Sequence, residues 1–292
     1  MAKHNRRMRK TPIRVPVSNV LPFNNATLKV LLTNVHESPS LIALARVSVE
    51  VAECCMHEYR TNVNTTDVLK IAEATTSNQL LWKKERQFRI TGSRCYSLYT
   101  YSKDNWAEKA SNYFWPCEFS NKFVKHGLKM EPRARMLYQE WKNCDVFCCG
   151  LIISQNNPWL AYSPDGIVMQ AQKPCTLIEI KCPWDLPDLL PETLLECCNY
   201  LIYKDKRLQL KQKHSYYGQV QFGLALLNLK ACDFVIYSDK VNGIAVIPVT
   251  YDESFATNLL TKLKSVYFEK MLHVICQKNE HDNCCVKKMR KS

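Results

Sequence analysis

A chain of 292 residues with 46% hydrophobic content carries enough apolar material for a full core, as one large domain or two small ones. No stretch approaches the roughly 20 apolar residues of a membrane span. The basic opening residues have no apolar block behind them, so the expectation is a soluble intracellular protein without membrane anchor or secretory leader. Lys and Arg number 40 against 27 for Asp and Glu, and this net charge of +13 exceeds what an enzyme of small acidic metabolites needs. It points to a polyanion partner.

Residues 1–25 read as a basic flexible tail, with Lys3, Arg6, Arg7, Arg9, Lys10 and Arg14 among them. Residues 276–292 form a second basic tail through Lys287, Lys288, Arg290 and Lys291. Such runs touch phosphates, or act as nuclear import signals if the host is eukaryotic, and solvated tails of no specific function are as common. Residues 26–78 read as a helical N-terminal extension. Leu41, Leu44, Val47 and Val51 follow Ser-Pro-Ser at near-helical spacing and predict a helix from Ser38 to about Tyr59, with polar residues 61–66 after it.

Residues 79–275 read as one domain. A helix is predicted over Val124–Trp141, with Leu128, Leu137, Tyr138 and Trp141 on its apolar side and Pro132 in its first turn or at a kink. Val146–Ser154 reads as a strand, Trp159–Met169 as a second extended stretch, residues 170–174 as a hairpin loop and Thr176–Lys181 as a third strand. A helix over Ser215–Leu229, strands over Cys232–Tyr237 and Ile244–Val249 and a helix over Glu253–Leu272 complete the order. That order predicts an α/β domain, a central sheet covered by helices. The fifteen cysteines include the adjacent pairs Cys54-Cys55, Cys148-Cys149, Cys197-Cys198 and Cys284-Cys285. With no C-x-x-C spacing, a structural zinc site is not expected, and most cysteines read as reduced, buried hydrophobes.

The chemistry concentrates in Ser163-Pro164-Asp165-Gly166 and Ile178-Glu179-Ile180-Lys181-Cys182-Pro183. A strand period of two puts Glu179 and Lys181 on one face, and the hairpin return carries Asp165 alongside Glu179. Two carboxylates and an ammonium suit a hydrated Mg2+, which takes oxygen ligands and keeps several waters; the Ile180 carbonyl is a third protein donor. Lys181 would orient the attacking water and favour hydroxide, giving in-line cleavage of a phosphodiester. On the strand alone, an ordinary surface ion pair is an equal reading.

These strings resemble the PD-(D/E)xK nuclease signature, and in their longer form its lambda-exonuclease and YqaJ-type viral recombinase branch. Three further blocks follow the same order: Trp82 to Arg86 with Ile90-Thr91-Gly92-Ser93, where Gly92 replaces the usual Ala; Gly127 to Arg135, similar to G-x-x-x-E-x-x-A-R; and Tyr217-Gly218-Gln219-Val220-Gln221, similar to a Q-x-Q helix. The resemblance covers about residues 80–272. It implies a restriction-endonuclease-like core with a central mixed sheet flanked by helices. It implies Glu131, Asp165 and Glu179 as acidic metal ligands together with Ile180, Lys181 as the residue orienting water, and Arg86, Ser93, Ser163 and Gln219 as contacts to a terminal 5′-phosphate. It implies Mg2+ as cofactor with Mn2+ as substitute, duplex DNA ends as substrate, a single-strand annealing protein as partner and a homo-oligomeric ring.

The resulting expectation is a magnesium-dependent, 5′-phosphate-dependent exonuclease in recombination or repair. A structure-specific endonuclease and a non-cutting DNA-end-binding module are the alternatives. Arg89 is a second phosphate candidate. Trp82, Tyr96, Tyr99, Tyr101, Tyr216, Tyr217 and Phe222 either stack on splayed bases or belong to the core. His126 reads as structural.

Overall fold

The structure is a computed structural model that describes residues 24–64, 67–117 and 121–278; the two basic runs expected near the chain ends lie outside them. Five helices come first: α1 (Asn25–His36), α2 (Pro39–Arg46), α3 (Glu53–Asn62), α4 (Val68–Ala74) and α5 (Gln79–Gln87). Then β1 (Ile90–Thr91), α6 (Gly92–Tyr99), α7 (Trp106–Phe114) and the long α8 (Lys122–Lys142) lead into β2 (Asp145–Phe147), β3 (Ile152–Ile153), β4 (Leu160–Tyr162), β5 (Gly166–Gln170) and β6 (Lys173–Lys181). After α9 (Pro191–Cys197), the hairpin β7 (Leu201–Lys204) and β8 (Arg207–Leu210), and α10 (Ser215–Leu227) come β9 (Ala231–Ser238), β10 (Gly243–Thr250) and α11 (Glu253–Ser265). A π-helical turn (Val266–Met271) passes into helical residues 272–278.

The main sheet has the order β10-β9-β6-β5-β2, with β6 parallel to β9 and the other pairs antiparallel. It is the mixed sheet predicted. Ile178 and Ile180 of β6 pack with Ala134 and Tyr138 of α8 on one side, whereas Leu177 joins Val220 of α10 and Leu28 of α1 in a separate core cluster. Each such side chain contributes about 1.5–3 kcal/mol by leaving water. That two-sided burial locks the register, because a one-residue slip would exchange Glu179 with its apolar neighbours. The β5–β6 turn is shorter than the predicted loop: Ala171 and Gln172 have φ of 47° and 64°, the positive pair that a two-residue hairpin turn requires.

Several predicted elements are divided. The expected strand Val146–Ser154 becomes β2 in the main sheet and β3 in a small sheet of order β1-β4-β3. Gly150 lies at the break, against α4; its N–H donates to the Ala72 carbonyl at 3.2 Å, and a Cβ there would come within 2.3 Å of Thr75 Oγ1. The stretch Trp159–Met169 likewise divides into β4 and β5, so residues 163–165 form the corner between two sheets. The single helix expected from Ser38 to Tyr59 is α2 and α3, separated where Val47 turns extended with φ −67° and ψ 117°. The β-branched Val47, Val49 and Val51 favour extended backbone, which outweighs their helical spacing.

Helix α1 falls in the expected helical extension, ahead of the one helix placed there by spacing; Asn24 caps it, and Leu28, Leu31 and Val35 enter the same core as β6 and α10. Pro132 lies deep inside α8 rather than in its first turn. The buried residues of α8 are His126, Ala134 and Tyr138, while Leu128 and Trp141 of the expected apolar side are 63% and 60% exposed. Of the thirteen cysteines among the described residues, only Cys55, Cys95, Cys198, Cys232 and Cys276 are buried, fewer than expected.

Candidate active site

The carboxyl-terminal end of β6, the corner before β5 and the middle of α8 meet at a cleft of about 760 Å³. Asp165 sits at the corner, and its Oδ2 accepts a hydrogen bond from the Ile180 N–H at 2.7 Å, which ties β5's entry to β6. Arg135 of α8 clamps the same corner. Its Nε donates to the Asp165 carbonyl at 2.8 Å and its Nη2 to Glu131 Oε1, one helical turn back. Glu131 and Asp165 are thereby held in one frame although they come from different elements.

Glu179, only 1% exposed, is the most enclosed of the acids. Its Oε1 accepts from Lys181 Nζ at 2.5 Å and from Gln219 Nε2, and its Oε2 accepts from the Tyr162 hydroxyl at 2.7 Å. Three donors from β6, α10 and β4 thus hold a buried carboxylate, as such a group requires. Burial pushes the Asp165 carboxyl well above the usual range, and the Glu179 charge adds to this. Burial also raises the Glu131 carboxyl, with Arg135 opposing and Glu179 reinforcing. Burial alone would lower the Lys181 ammonium, but the Glu179 and Asp165 charges outweigh it and raise its pKa. Lys181 is therefore a fixed cation at neutral pH.

Tyr162 is the residue that sequence reasoning missed. Its ring is buried between α6 and α10, and a Cβ on Gly92 would come within 2.4 Å of it and one on Gly223 within 2.5 Å. Gly92 makes room for the ring whose hydroxyl holds Glu179. The signal was present as Gly92, Tyr162 and Gly223, but only packing connects them.

At the mouth of the cleft, the Arg86 guanidinium lies 3.9 Å over the Trp82 ring, and its Nη2 donates to Ser93 Oγ at 3.0 Å and Thr91 Oγ1 at 3.3 Å. Trp82 Nε1 donates to Ser163 Oγ at 2.8 Å. Ser163, Trp82, Arg86 and Ser93 form one connected chain of contacts. Burial lowers the Arg86 pKa to about 10, with nearby Arg94 adding to the effect, so the guanidinium stays charged at neutral pH.

All nine residues singled out for the site line this one cleft. Gln219 touches Glu179 in addition to lining the cleft. Arg89, the second phosphate candidate, is 3% exposed and spends its donors on the Pro158 and Val63 carbonyls and on Glu85; it is a structural arginine. Of the aromatic candidates only Trp82 and Tyr216 line the cleft, and Phe222 and Tyr217 are buried. His126 is buried against Trp184, its Nε2 without a hydrogen-bond partner among the described residues.

The amino-acid sequence matches the YqaJ-like viral recombinase domain over residues 81–228. The chain belongs to this family. Its fold is of the restriction-endonuclease-like type seen in an alkaline exonuclease, LHK-Exo, from Laribacter hongkongensis, to which it is 23% identical with a TM-score of 0.52, covering 70% of this chain and 98% of that one. The same exonuclease in complex with dAMP matches at 23% identity and a TM-score of 0.52, covering 72% and 100%. A phage-related exonuclease from Haemophilus somnus matches at 12% identity and a TM-score of 0.48, covering 65% and 96%. No curated protein matches the sequence. Among the described residues no helix of this YqaJ-like chain is long and apolar enough to cross a membrane.

The donor set of the YqaJ-like cleft suits a hard dication. Three carboxylates face one opening with Lys181 and Arg135 as nearby cations, and Asp165 and Glu131 are pushed toward their neutral forms by burial and by repulsion from the Glu179 charge. Added positive charge would relieve that repulsion. The oxygens of Glu131, Asp165 and Glu179 are not gathered as a set within 4.8 Å, and Glu131 is engaged by Arg135. Asp165 and Glu179 are likewise hydrogen-bonded to protein groups, so all three acids are candidate oxygen donors whose present partners a cation would displace or share.

Proposed function

We propose that this YqaJ-like chain is a magnesium-dependent DNA nuclease that degrades one strand of a duplex from a 5′-phosphorylated end. The observation that carries the reading is the shared cleft: an acidic end with a fixed ammonium and, at its mouth, a guanidinium flanked by hydroxyls. Magnesium, or manganese in its place, would be held by Asp165, Glu179 and the Ile180 carbonyl with support from Glu131. When bound, such a cation lowers the pKa of water and neutralises charge on a reacting phosphate.

The chain's own residues do the rest. Lys181, ion-paired with Glu179, would donate hydrogen bonds that orient the attacking water and offset negative charge on the phosphoryl oxygens. Glu179 is aimed by hydrogen bonds from Tyr162, Lys181 and Gln219. Arg86 offers a planar fork that suits a phosphate monoester, with Ser93 and Ser163 as neutral donors. A terminal phosphate gripped there would set which bond reaches the acidic end, so cleavage would proceed stepwise from the end. On this reading the partner is duplex DNA in recombination or repair, and a single-strand annealing protein and a homo-oligomeric ring are the associations that accompany it.

Linear duplexes with 5′-phosphate or 5′-hydroxyl ends and closed circles, incubated with magnesium, calcium or chelator, test the proposal. Expected is magnesium-dependent loss of the 5′-phosphorylated strand. Equal cleavage of closed circles would make the protein an endonuclease, and end binding without cleavage would leave only a binding module.

A further inference from the structure

Outside the cleft, three thiols converge where two distant parts of the chain meet. Cys54 and Cys55 lie in the first turn of α3, Cys276 lies in the helical residues 272–278, and the three sulfurs are all within 4.8 Å of one another. Those of Cys54 and Cys55 are 4.0 Å apart. A tetrahedral Zn2+ with Zn–S bonds of about 2.3 Å sets its sulfur ligands roughly 3.8 Å apart, so each pair needs to close by about an ångström or less. We propose that Cys54, Cys55 and Cys276 form a thiolate site for a borderline-soft divalent cation of the Zn2+ type, which cross-links α3 to the C-terminal helix.

Three features of α3 favour such a tether. The helix is polar, and Cys55 is its one buried residue, so apolar contact alone holds it weakly. The two cysteines lie in its first turn, where the positive end of the helix dipole favours thiolates. Cys54 is exposed, which gives a cation a way in and leaves the fourth position to water. Binding would release the thiol protons to solvent and form three metal–sulfur bonds, with no change in oxidation state. Sulfur donors select a different class of ion from the oxygen donors of the cleft, so the two sites would not compete. No C-x-x-C spacing announces this group, because its third member comes from the other end of the chain.

The test titrates the full-length protein, reduced and stripped of metal, with Co2+ as a spectroscopic stand-in. The expected result is one equivalent per chain with thiolate-to-cobalt charge-transfer absorption, displaced by Zn2+ and unchanged in Asp165→Asn. That control separates the thiol site from the cleft and from any nuclease activity. Cys54→Ser and Cys276→Ser should each weaken cobalt binding more than about ten-fold, since loss of even an outer partner of a metal ligand costs that much. Cys54 is exposed, so its variant carries the test if Cys276→Ser fails to fold. An absent band, a band of equal strength in both variants, or oxidation to a Cys276 disulfide without cobalt uptake would overturn the proposal.

Discussion

The two ends of the cleft are built on opposite principles. At the acidic end, Asp165 and Glu131 are pushed toward neutrality by burial and by the Glu179 charge, and Glu179 stays buried only because three donors surround it. At the mouth, Arg86 is held by a tryptophan face and two hydroxyls, with no carboxylate among its described partners. The first arrangement calls for added positive charge and the second offers it. A bound phosphate would bridge that difference, and each end can be perturbed separately.

The largest effect is expected at the acidic end. Lys181→Ala should lower the cleavage rate about 10²–10³-fold, the cost of removing one well-aimed donor to a reacting oxyanion, while DNA binding in calcium changes little. Unaltered turnover would remove Lys181 from the reaction. Tyr162→Phe deletes one bond to Glu179 and keeps the ring between Gly92 and Gly223. A hydrogen bond to a charged group contributes about 1.5–3 kcal/mol, so the variant should need more magnesium for half-maximal rate, lose about ten-fold in activity and melt several degrees lower while still folding. An unchanged magnesium requirement would show that Tyr162 only fills space.

At the mouth, Arg86→Ala should abolish the preference for 5′-phosphate over 5′-hydroxyl ends while hydroxyl-ended duplex is cut almost as before. A preserved preference would place the phosphate elsewhere. Ser93→Ala, which removes one neutral contact worth about 0.5–1.5 kcal/mol, should reduce the same preference only a few-fold. If it matched Arg86→Ala, Ser93 would be as strong a contact to the phosphate as the guanidinium.

The hairpin carrying Asp165 and Glu179 was legible because alternation in β6 is a property of the strand itself and turn residues mark its return. The extent of α8 was legible too, as were Leu137 and Tyr138 on its packed side, but Leu128 and Trp141 match the helical spacing and stay exposed, since nothing among the described residues covers them. Strand lengths failed where the chain changes sheets. Gly150 and residues 163–165 break apolar runs that continue in sequence, and the cause is the approach of α4 and the crossing between two sheets. Arg89 was misjudged for a related reason, since charge suggests phosphate until burial against Val63 and Pro158 is seen.

By itself, the order of amino acids determined the period of two that sets Glu179 and Lys181 on one side of β6, the corner bearing Asp165, and a strongly basic surface, all consequences of backbone geometry and charge within a few residues. Tertiary structure decided the rest: Arg135 joining Glu131 to the Asp165 corner, Tyr162 lodged between two glycines to steady Glu179, and three cysteines meeting from opposite ends of the chain. Those contacts depend on how layers pack, and packing relates residues by position in space, which spacing along the chain does not encode.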